Sequence, residues 1–395
     1  MKVLYILPQP YFLSRGSSFR AKATVDALVT LGHEVEVLCY GLGRDPEGAG
    51  YRVHRALRPP GLRSVKVGPS PGKLLCDVPL AWSARRLVKR GNYDVIHGVE
   101  EGGFLAAWLG GARGIPYIFD MHSWMSQQIE GTGFGRLKLL LRWFRRMELR
   151  SMRGAQAVIT VGEEMTRLLR EELAPDVFSV TLLDCAAKVE VPLPPEERAK
   201  LEGEFFGFPG RTLVYTGNFH PYQGLDLLVD AVAELRRRHP APGAFRLLLV
   251  GGGEGERSRV AQLRGRLRTL GLEEVVVLCG ERTPAETAVL MARADALVSS
   301  RITGNNIPLK IYQYLAAGVP LVATRIASHT QVLHEGNAVL GDPTPAGLAA
   351  AMSRALFGLT EAERAQFREA AELQTPERQM ERFVATVAAC YDRCG

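Results

Sequence analysis

The segment Ser299-Ser-Arg-Ile-Thr-Gly-Asn-Asn-Ile-Pro-Leu-Lys-Ile-Tyr-Gln-Tyr-Leu-Ala-Ala-Gly-Val-Pro-Leu-Val-Ala-Thr324 joins a strand end, a Gly/Asn-rich loop, a short helix, a Gly-x-Pro stop and another strand. A loop that leads from a strand into a helix N-terminus is a natural anion site, because free backbone N–H groups and the helix dipole both favour negative charge. Lys310 is predicted in the first turn of this helix, where a cation opposes the dipole. A bound phosphate would account for it, whereas the simpler interpretation is a solvated surface lysine.

Strands and helices alternate on both sides of this segment. Buried strands are predicted at 3–7, 33–39, 93–97, 116–119, 157–161, 212–215, 245–250, 275–278, 296–299 and 321–323. Helices are predicted at 19–31, from Glu163, at 225–238 and at 376–391. This rhythm is typical of an α/β fold with mostly parallel sheets. A Pro/Glu-rich stretch at 184–197 interrupts it and is the expected linker.

Length and composition set the class of protein. A chain of 395 residues suits two domains of about 150–200 residues each. No apolar run reaches the roughly 18 residues that a spanning helix needs. The N-terminus is broken by Pro8 and Pro10, which favours a buried strand over a signal peptide. Six cysteines without Cys-x-x-Cys spacing indicate reduced thiols and a cytoplasmic setting.

The net charge of +7 lies entirely in the N-terminal half. Residues 136–153 hold seven basic side chains against Glu148 alone, with apolar residues at helical spacing. This pattern predicts a basic amphipathic helix. It either packs between elements with a solvated basic face or rests on an anionic membrane surface, at the inner face of the membrane. Nucleic acid is disfavoured because no aromatic-interleaved basic motif or zinc spacing is present.

Two further segments carry glycines where a phosphate would need them. Gly251-Gly-Gly-Glu-Gly255 follows a predicted strand but lacks the full Gly-x-Gly-x-x-Gly spacing, so a tight strand-to-helix turn is the simpler interpretation. Tyr215-Thr-Gly-Asn-Phe-His-Pro-Tyr-Gln-Gly-Leu-Asp-Leu-Leu228 is more specific. No Gly-x-Ser-x-Gly elbow exists, which disfavours hydrolase chemistry.

The Tyr215–Leu228 segment, together with Ala317-Gly-Val-Pro320, resembles the donor site of glycosyltransferase family 4 (group 1). The family holds the donor diphosphate with an Arg and a Lys ahead of a glycine, and has a Glu-x7-Glu pair before its Gly-x-Pro. Gly217 and Gly224 match, and Pro308-Leu309-Lys310 is similar to a bacterial subgroup with Pro-x-Lys. The charged positions differ: Asn218 and Gln223 replace the cations, and Asn305 and Gln313 replace the acids.

The resemblance implies a retaining glycosyltransferase of the GT-B class, with two Rossmann-like doubly wound domains facing a central cleft. It implies a nucleotide-diphosphate-sugar co-substrate, no metal requirement, and a carbohydrate or lipid-linked acceptor in bacterial polysaccharide or glycolipid synthesis. The domains expected are an acceptor-binding domain at 1–190, a donor domain at 198–374, and a C-terminal helix at 375–395 that returns to the first domain.

The same resemblance implies the site residues. Three residues are expected to be catalytic. His122 would lie against the donor sugar, and Asn305 would hydrogen-bond the sugar hydroxyls. Lys310 is expected to replace the missing cations that bind the diphosphate. The other donor contacts expected are Gly16, Gly217, Asn218, Gln223, Arg282, Asn306, Ile307, Pro308, Leu309 and Gln313. The acceptor side is expected to hold Arg20, His97, Glu100 and Glu101.

Several alternatives stay open. Ser17 or Ser18 is equally well interpreted as a plain N-cap of the first helix. His97 and the two glutamates are also compatible with an ordinary buried strand end. For the whole chain, the loss of two acids and two cations would suit a non-catalytic GT-B partner subunit. A sugar-nucleotide epimerase of the same fold is the third possibility.

Overall fold

The computed structural model of the protein describes residues 1–11, 16–44, 50–65, 70–126, 138–185, 192–304 and 307–395. The chain divides into two compact units. The N-terminal unit comprises Met1–Asp184 and Met380–Gly395, and the C-terminal unit comprises Cys185–Gln379. Within the described ranges, no helix combines the length and the apolar character that crossing a membrane requires.

The N-terminal unit is built on a seven-stranded parallel sheet with the order β3-β2-β1-β4-β5-β6-β7. Its strands are β1 Lys2–Leu7, β2 Glu34–Cys39, β3 Arg52–Arg55, β4 Val95–Val99, β5 Tyr117–Met121, β6 Ala157–Thr160 and β7 Ser179–Thr181. The central strands are buried along nearly their whole length and are mostly apolar, as expected for a parallel sheet covered on both faces.

The helices bounded within the described ranges that connect these strands are α1 Gly16–Thr30, α2 Pro71–Arg90, α3 Glu101–Arg113, α4 Lys138–Arg153 and α5 Glu163–Leu168, which continues as a π-helix at Leu169–Leu173. Helix α1 begins at Gly16, so Ser17 and Ser18 lie inside its first turn. The N-cap interpretation of these serines is therefore wrong. Helix α4 confirms the predicted basic helix over its described part, while residues 136 and 137 lie outside the described ranges.

The C-terminal unit contains a six-stranded parallel sheet with the order β10-β9-β8-β11-β12-β13. Its strands are β8 Arg211–Thr216, β9 Phe245–Val250, β10 Val276–Gly280, β11 Ala296–Ser299, β12 Leu321–Thr324 and β13 Val339–Gly341. The strand order reverses between β8 and β11. Ligands of doubly wound sheets bind at the carboxyl ends of strands beside such a switch point.

Helices cover both faces of this sheet. They are α6 Pro195–Phe206, α7 Leu225–Arg238, α8 Arg257–Thr269, α9 Pro284–Arg293, α10 Leu309–Ala316, α11 Ala327–Thr330, α12 Pro345–Ser353 and α13 Glu361–Glu372. Leu213 and Tyr215 of β8 point into one buried apolar cluster, and Val214 between them points into another. The alternation places a core on each face, which confirms the predicted doubly wound α/β fold.

The last helix, α14 Pro376–Tyr391, ends in the core of the N-terminal unit. The Tyr391 hydroxyl lies 2.9 Å from His97 Nδ1 on β4. Phe383, Val387 and Cys390 are also buried. Arg393 places its guanidinium 4.6 Å from the centre of the Phe178 ring. The C-terminal residues therefore complete the hydrophobic core that the first 184 residues begin.

Candidate functional site

A cavity of about 440 Å³ opens at the carboxyl ends of β8, β9 and β10 in the C-terminal unit. Three strand-end loops supply most of its wall, and Gln313 of α10 supplies another part. The lining residues are Thr216, Gly217, Asn218, Val250, Gly251, Gly252, Gly253, Glu254, Gly255, Glu256, Glu281, Arg282, Thr287 and Gln313. The Gly251–Gly255 turn is thus part of a concave site as well as a connection to the next helix.

The floor of this cavity is backbone, because glycines let the strand ends approach each other. Gly217 has φ of +133° and Gly251 has φ of +137°, where side chains are rarely accommodated. A Cβ on Gly251 would lie 1.9 Å from the Gly217 carbonyl oxygen. Backbone amides can therefore reach a bound anion closely at this point.

Lys310 lies beside this floor with its ammonium group buried. Its side chain is 8% exposed, and Nζ lies 3.9 Å from the centre of the Tyr215 ring. A Cβ on Gly217 would stand 3.1 Å from Nζ. Nζ has no hydrogen-bond partner among the described residues. The interpretation of Lys310 as a solvated surface residue is therefore wrong.

Burial and the neighbouring positive charge of Arg301 both lower the pKa of Lys310 well below its usual 10.5. Arg301 follows β11 and donates from Nε to the Thr303 carbonyl, 2.7 Å away. Its guanidinium lies 5.3 Å from the centre of the Tyr222 ring. Burial also lowers the pKa of Arg301. Two basic side chains thus lie close enough to repel each other when both are charged, and a bound anion would relieve this repulsion.

Asn218 and Gln223, the two amides expected in place of the family's cations, contact each other. Gln223 Nε2 donates to Asn218 Oδ1 at 3.3 Å, and the Gln223 Oε1 atom is buried without a hydrogen-bond partner in the described structure. Gln223 also accepts, through its backbone carbonyl, a hydrogen bond from Ser300 Oγ at 2.9 Å. Gly224 has φ of +70°, and a Cβ there would meet the Ser300 carbonyl at 2.1 Å. The predicted glycine is therefore required by packing alone.

The loop before α10 is only partly described. Asn305 and Asn306, two predicted donor contacts, lie outside the described residues. Ile307 is buried, Pro308 is the N-cap residue of α10, and Leu309 begins the helix. Pro308 leaves this helix start without a side-chain cap.

Arg282 lines the cavity, but its guanidinium is engaged with protein groups. It lies 3.3 Å from a Glu286 carboxylate oxygen and 3.4 Å from one of Glu204, and it donates to the Cys279 carbonyl at 3.1 Å. The side chain thus ties α6 and α9 to the end of β10. A contact from Arg282 to a ligand would have to compete with these bonds.

In the N-terminal unit, three basic side chains surround the buried carboxylate of Asp120 at the end of β5. Distances to its oxygens are 3.5 Å from Arg20 Nη2, 3.4 Å from His122 Nε2 and 3.6 Å from His97 Nε2. Burial alone would raise the pKa of Asp120, but the charge of Arg20 and the adjacent His122 hold it well below its usual 3.8. The carboxylate therefore remains ionised.

Asp120 also organises the predicted residues Arg20 and His122. Arg20 Nη1 donates to Asp184 Oδ1 at 2.7 Å and to the Leu182 carbonyl at 2.8 Å, and Arg20 Nε lies 3.2 Å from His122 Nε2. Burial lowers the pKa of His122, but the charge of Asp120 outweighs it, so the net shift is upward. The negative charge of Asp120 therefore orients the His122 imidazole.

Glu100 has the one positive φ of a non-glycine residue in the described chain, +49°. It directly follows β4, and its carboxylate accepts from Ser123 Oγ at 2.9 and 3.1 Å. Burial raises the pKa of Glu100 to about 7. Strained backbone and a shifted pKa together are typical of functional sites. Glu101, by contrast, pairs with Lys73 at 2.5 Å.

The structure thus brings the predicted residues into one group in each unit. Arg20, His97, His122 and Glu100 gather at the ends of β4 and β5, and Gly16 begins the adjoining helix α1. Sequence reasoning assigned no role to Asp120, Asp184 or Arg301. Arg20 reaches both aspartates, and Tyr222 meets Arg301, from distant parts of the sequence, so no local pattern linked these residues.

Two family profiles match the chain, one in each unit. The profile described as "Glycosyl transferase 4-like domain" matches residues 15–180, and that described as "Glycosyl transferases group 1" matches residues 210–357. In sequence, the chain is similar to a phosphatidyl-myo-inositol mannosyltransferase of Mycobacterium leprae, with 31% identity over 162 residues. That match covers 39% of this chain and 38% of the relative. The chain spans less than half the length of the sequence relatives it matches.

Solved structures resemble the chain over its whole length. Sucrose-phosphate synthase from Thermosynechococcus elongatus gives a TM-score of 0.71 with 18% identity, covering 99% of this chain and 98% of that one. Anabaena HepE in complex with UDP gives a TM-score of 0.73 with 17% identity, covering 98% and 100%. At this level of identity the likeness concerns the fold, and it confirms the two Rossmann-like domains of the GT-B class.

Proposed function

The chain belongs to the group 1 glycosyltransferases with the GT-B fold, and from this premise we propose that it transfers a sugar from a nucleotide-diphosphate-sugar donor to an acceptor hydroxyl. The nucleotide end of the donor would occupy the cavity beside Gly217 and Gln313, whose size suits a small-molecule ligand. The Anabaena relative was solved with UDP, so uridine diphosphate sugars are the first donors to test.

The observation that carries this proposal is the buried Nζ of Lys310. A buried ammonium without a hydrogen-bond acceptor is costly, so a protein retains it where a ligand completes its coordination. A diphosphate beside Gly217 would supply oxygen acceptors and negative charge together. Lys310 would then stabilise the charge that develops on the leaving diphosphate, the role that the family's absent cations leave open.

Two neighbouring features would support Lys310. Arg301, which sequence reasoning missed, adds positive potential at the same strand end. The uncapped N-terminus of α10 and the backbone amides of the Gly217 loop add hydrogen-bond donors. Asn218 and Gln223, which stand in the cationic positions, would contribute neutral hydrogen bonds only.

Amides in place of the two family acids would alter how the sugar and ribose are held. Gln313 faces the cavity and would bond the ribose, and Asn305 is expected on the sugar hydroxyls. An amide both donates and accepts hydrogen bonds, whereas a carboxylate only accepts. The preferred donor would therefore differ from that of relatives that keep both acids.

The residues around Asp120, here called the Asp120 group, would bind the acceptor and the reactive end of the donor. His122 would contact the donor sugar, and Arg20, His97 and Glu100 would line the acceptor side. Transfer breaks the bond between the sugar C1 and the diphosphate oxygen and forms a bond to the acceptor oxygen. The electron pair of the broken bond stays on the nucleoside diphosphate, which also takes up the proton that the acceptor hydroxyl loses. Retention of configuration is what the family implies.

We further propose that the acceptor belongs to polysaccharide or glycolipid synthesis at the inner face of a membrane. The mannosyltransferase relative is named for a lipid, phosphatidyl-myo-inositol. The six cysteines, which all lie within the described ranges, form no disulfide with one another, which suits a reducing cytoplasm. Helix α4 presents basic side chains that would contact anionic headgroups.

A panel of nucleoside diphosphate sugars tests the proposed activity. Binding is measured by calorimetry, and release of the nucleoside diphosphate is measured with and without EDTA. We expect at least one donor to bind, to be slowly hydrolysed without acceptor, and to need no added metal. Absence of binding and hydrolysis with every donor would favour the non-catalytic subunit. Release of an altered sugar nucleotide would instead indicate an epimerase.

A further inference from the structure

Helices α2, α3 and α4 form one layer on a single face of the N-terminal sheet. They lead into β4, β5 and β6, which are neighbours in the strand order, and right-handed crossovers in one direction place successive helices on the same face. Consistent with this, α2 contacts α3, and α3 contacts α4. The outer side of this layer, here called the three-helix surface, takes no part in the donor cavity.

The three-helix surface exposes an unusual amount of apolar side chain. Val78 is 73% exposed, Leu139 is 81% exposed and Trp82 is 56% exposed. The exposed large apolar residues on these helices are Leu74, Leu75, Val78, Trp82, Trp108, Leu139 and Trp143. They include three of the four tryptophans of the chain. Tryptophan concentrates at membrane interfaces, where one side of the ring is dry and the other is wet.

Helix α2 has two apolar stripes on opposite sides. Its buried stripe, at positions 76, 80, 84 and 88, packs on the core of the unit. Its exposed stripe, at positions 74, 78 and 82, is offset by two residues, which is about 200° around a helix. Core packing explains only the first stripe. The second needs a partner outside the described chain, because large apolar patches on a soluble surface mark interaction sites.

The charges around this apolar surface are almost all positive. The three helices hold twelve basic and three acidic residues, a net charge of +9 against +7 for the entire chain. The three acids are engaged with the protein. Asp77 accepts from the Tyr40 hydroxyl, Glu101 pairs with Lys73, and Glu148 is buried and accepts from the Met125 amide at 2.9 Å. The surface that remains is cationic.

On these grounds we propose that the three-helix surface binds an anionic lipid bilayer. The α2 stripe of Leu74, Val78 and Trp82 enters the boundary between headgroups and acyl chains, as does Leu139 of α4. The basic side chains beyond them meet lipid phosphates. Net charge of this size favours a lipid surface over a protein partner, since charged residues are depleted at the cores of protein interfaces. This inference rests on the proposed function only in placing the acceptor at a membrane.

Vesicle flotation with the full chain tests this inference. Wild-type protein is mixed with vesicles of phosphatidylcholine alone or of phosphatidylcholine with phosphatidylglycerol. The apolar variant is Leu74→Gln/Val78→Gln/Trp82→Gln, and its control is Leu270→Gln/Leu373→Gln, which removes exposed leucines from the other unit. We expect the wild type to bind anionic vesicles only, the apolar variant to bind at least tenfold more weakly, and the control to bind as the wild type does.

The charge variant Arg142→Gln/Arg146→Gln should also bind more weakly, and added salt should weaken the wild type because headgroup attraction is screened. Failure of the wild type to bind anionic vesicles, or equal binding by the apolar variant, would overturn the proposal. If the wild type instead formed dimers without binding vesicles, and the apolar variant were monomeric, the surface would be assigned to a second copy of the chain. Binding of soluble donor, measured on the same samples, should be the same in all variants. This measurement distinguishes a failure of the membrane proposal from a failure of the proposed donor site.

Discussion

Lys310 is the residue on which the proposed donor site depends. A buried amine without an acceptor favours its neutral form, because burial penalises the charge and Arg301 repels it. A bound diphosphate would reverse both effects and raise the pKa of Lys310. Donor binding should then take up a proton, and donor affinity should rise as pH falls through the range between the pKa values of the bound and free states.

Burial of the Lys310 amine should also lower the stability of the unliganded protein. The pKa of Lys310 is lower in the folded protein than in the unfolded chain, so unfolding takes up a proton and the stability contributed by this group rises with pH. We expect Lys310→Met to be at least as stable as wild type at neutral pH, with wild type gaining relative to it towards pH 10. Urea denaturation over a pH series measures this. A loss of more than about 2 kcal/mol in the variant would indicate a structural role instead.

Glu100 should give a second pH-dependent signal, of opposite sign. Burial raises its pKa from the usual 4.5 to about 7 in the folded protein, so its contribution to stability is complete below pH 4.5 and is lost as pH rises through 7. Glu100→Gln cannot ionise. We expect the loss of thermal stability of wild type between pH 5 and pH 8 to be smaller in this variant, as followed by circular dichroism. Parallel pH profiles would show that Glu100 is not the titrating group.

At the scale of elements, the strand-end glycines shape the cavity that we propose binds the donor. Gly251→Ala would place a methyl group 1.9 Å from the Gly217 carbonyl at a positive φ, whereas Gly255→Ala, in the same cavity wall, meets nothing within 4 Å. We expect the first variant to be destabilised by about 2 kcal/mol or more and to bind donor weakly, and the second to resemble wild type. Denaturation and calorimetry on the pair measure both effects. Equal behaviour of the two variants would contradict this account of the loop.

Elements were predictable from the sequence wherever one period dominated. The bounds predicted for α7, β9, β11 and α14 agree with the structure, because each is a single uninterrupted apolar pattern. Helix α2 escaped prediction, since apolar stripes on opposite sides cancel the helical period. The edge strands β3, β7 and β13 were also missed, because β3 is mostly polar and the three residues of β7 and of β13 are too few to show an alternation.

At the scale of the whole molecule, the repeated βαβ patterns in the sequence predicted the fold. They did not predict which distant residues the fold brings into contact. The Asp120 group joins residue 20, residue 97 and residue 184, which only the sheet order brings together. Likewise, Tyr391 reaches His97 from the far end of the chain. Contacts over such separations depend on tertiary packing. The resemblance to a known family supplied the candidate residues, and the structure supplied their partners.

The central claim is that Lys310 binds the diphosphate of a nucleotide-sugar donor. Calorimetric affinity for the best donor of the panel, compared between wild type, Lys310→Ala and the exposed-surface control Lys200→Ala, tests it most directly. We predict at least a tenfold loss for Lys310→Ala, about 1.4 kcal/mol, and no change for the control. A loss of less than about threefold for Lys310→Ala, well under that free energy, would contradict the claim.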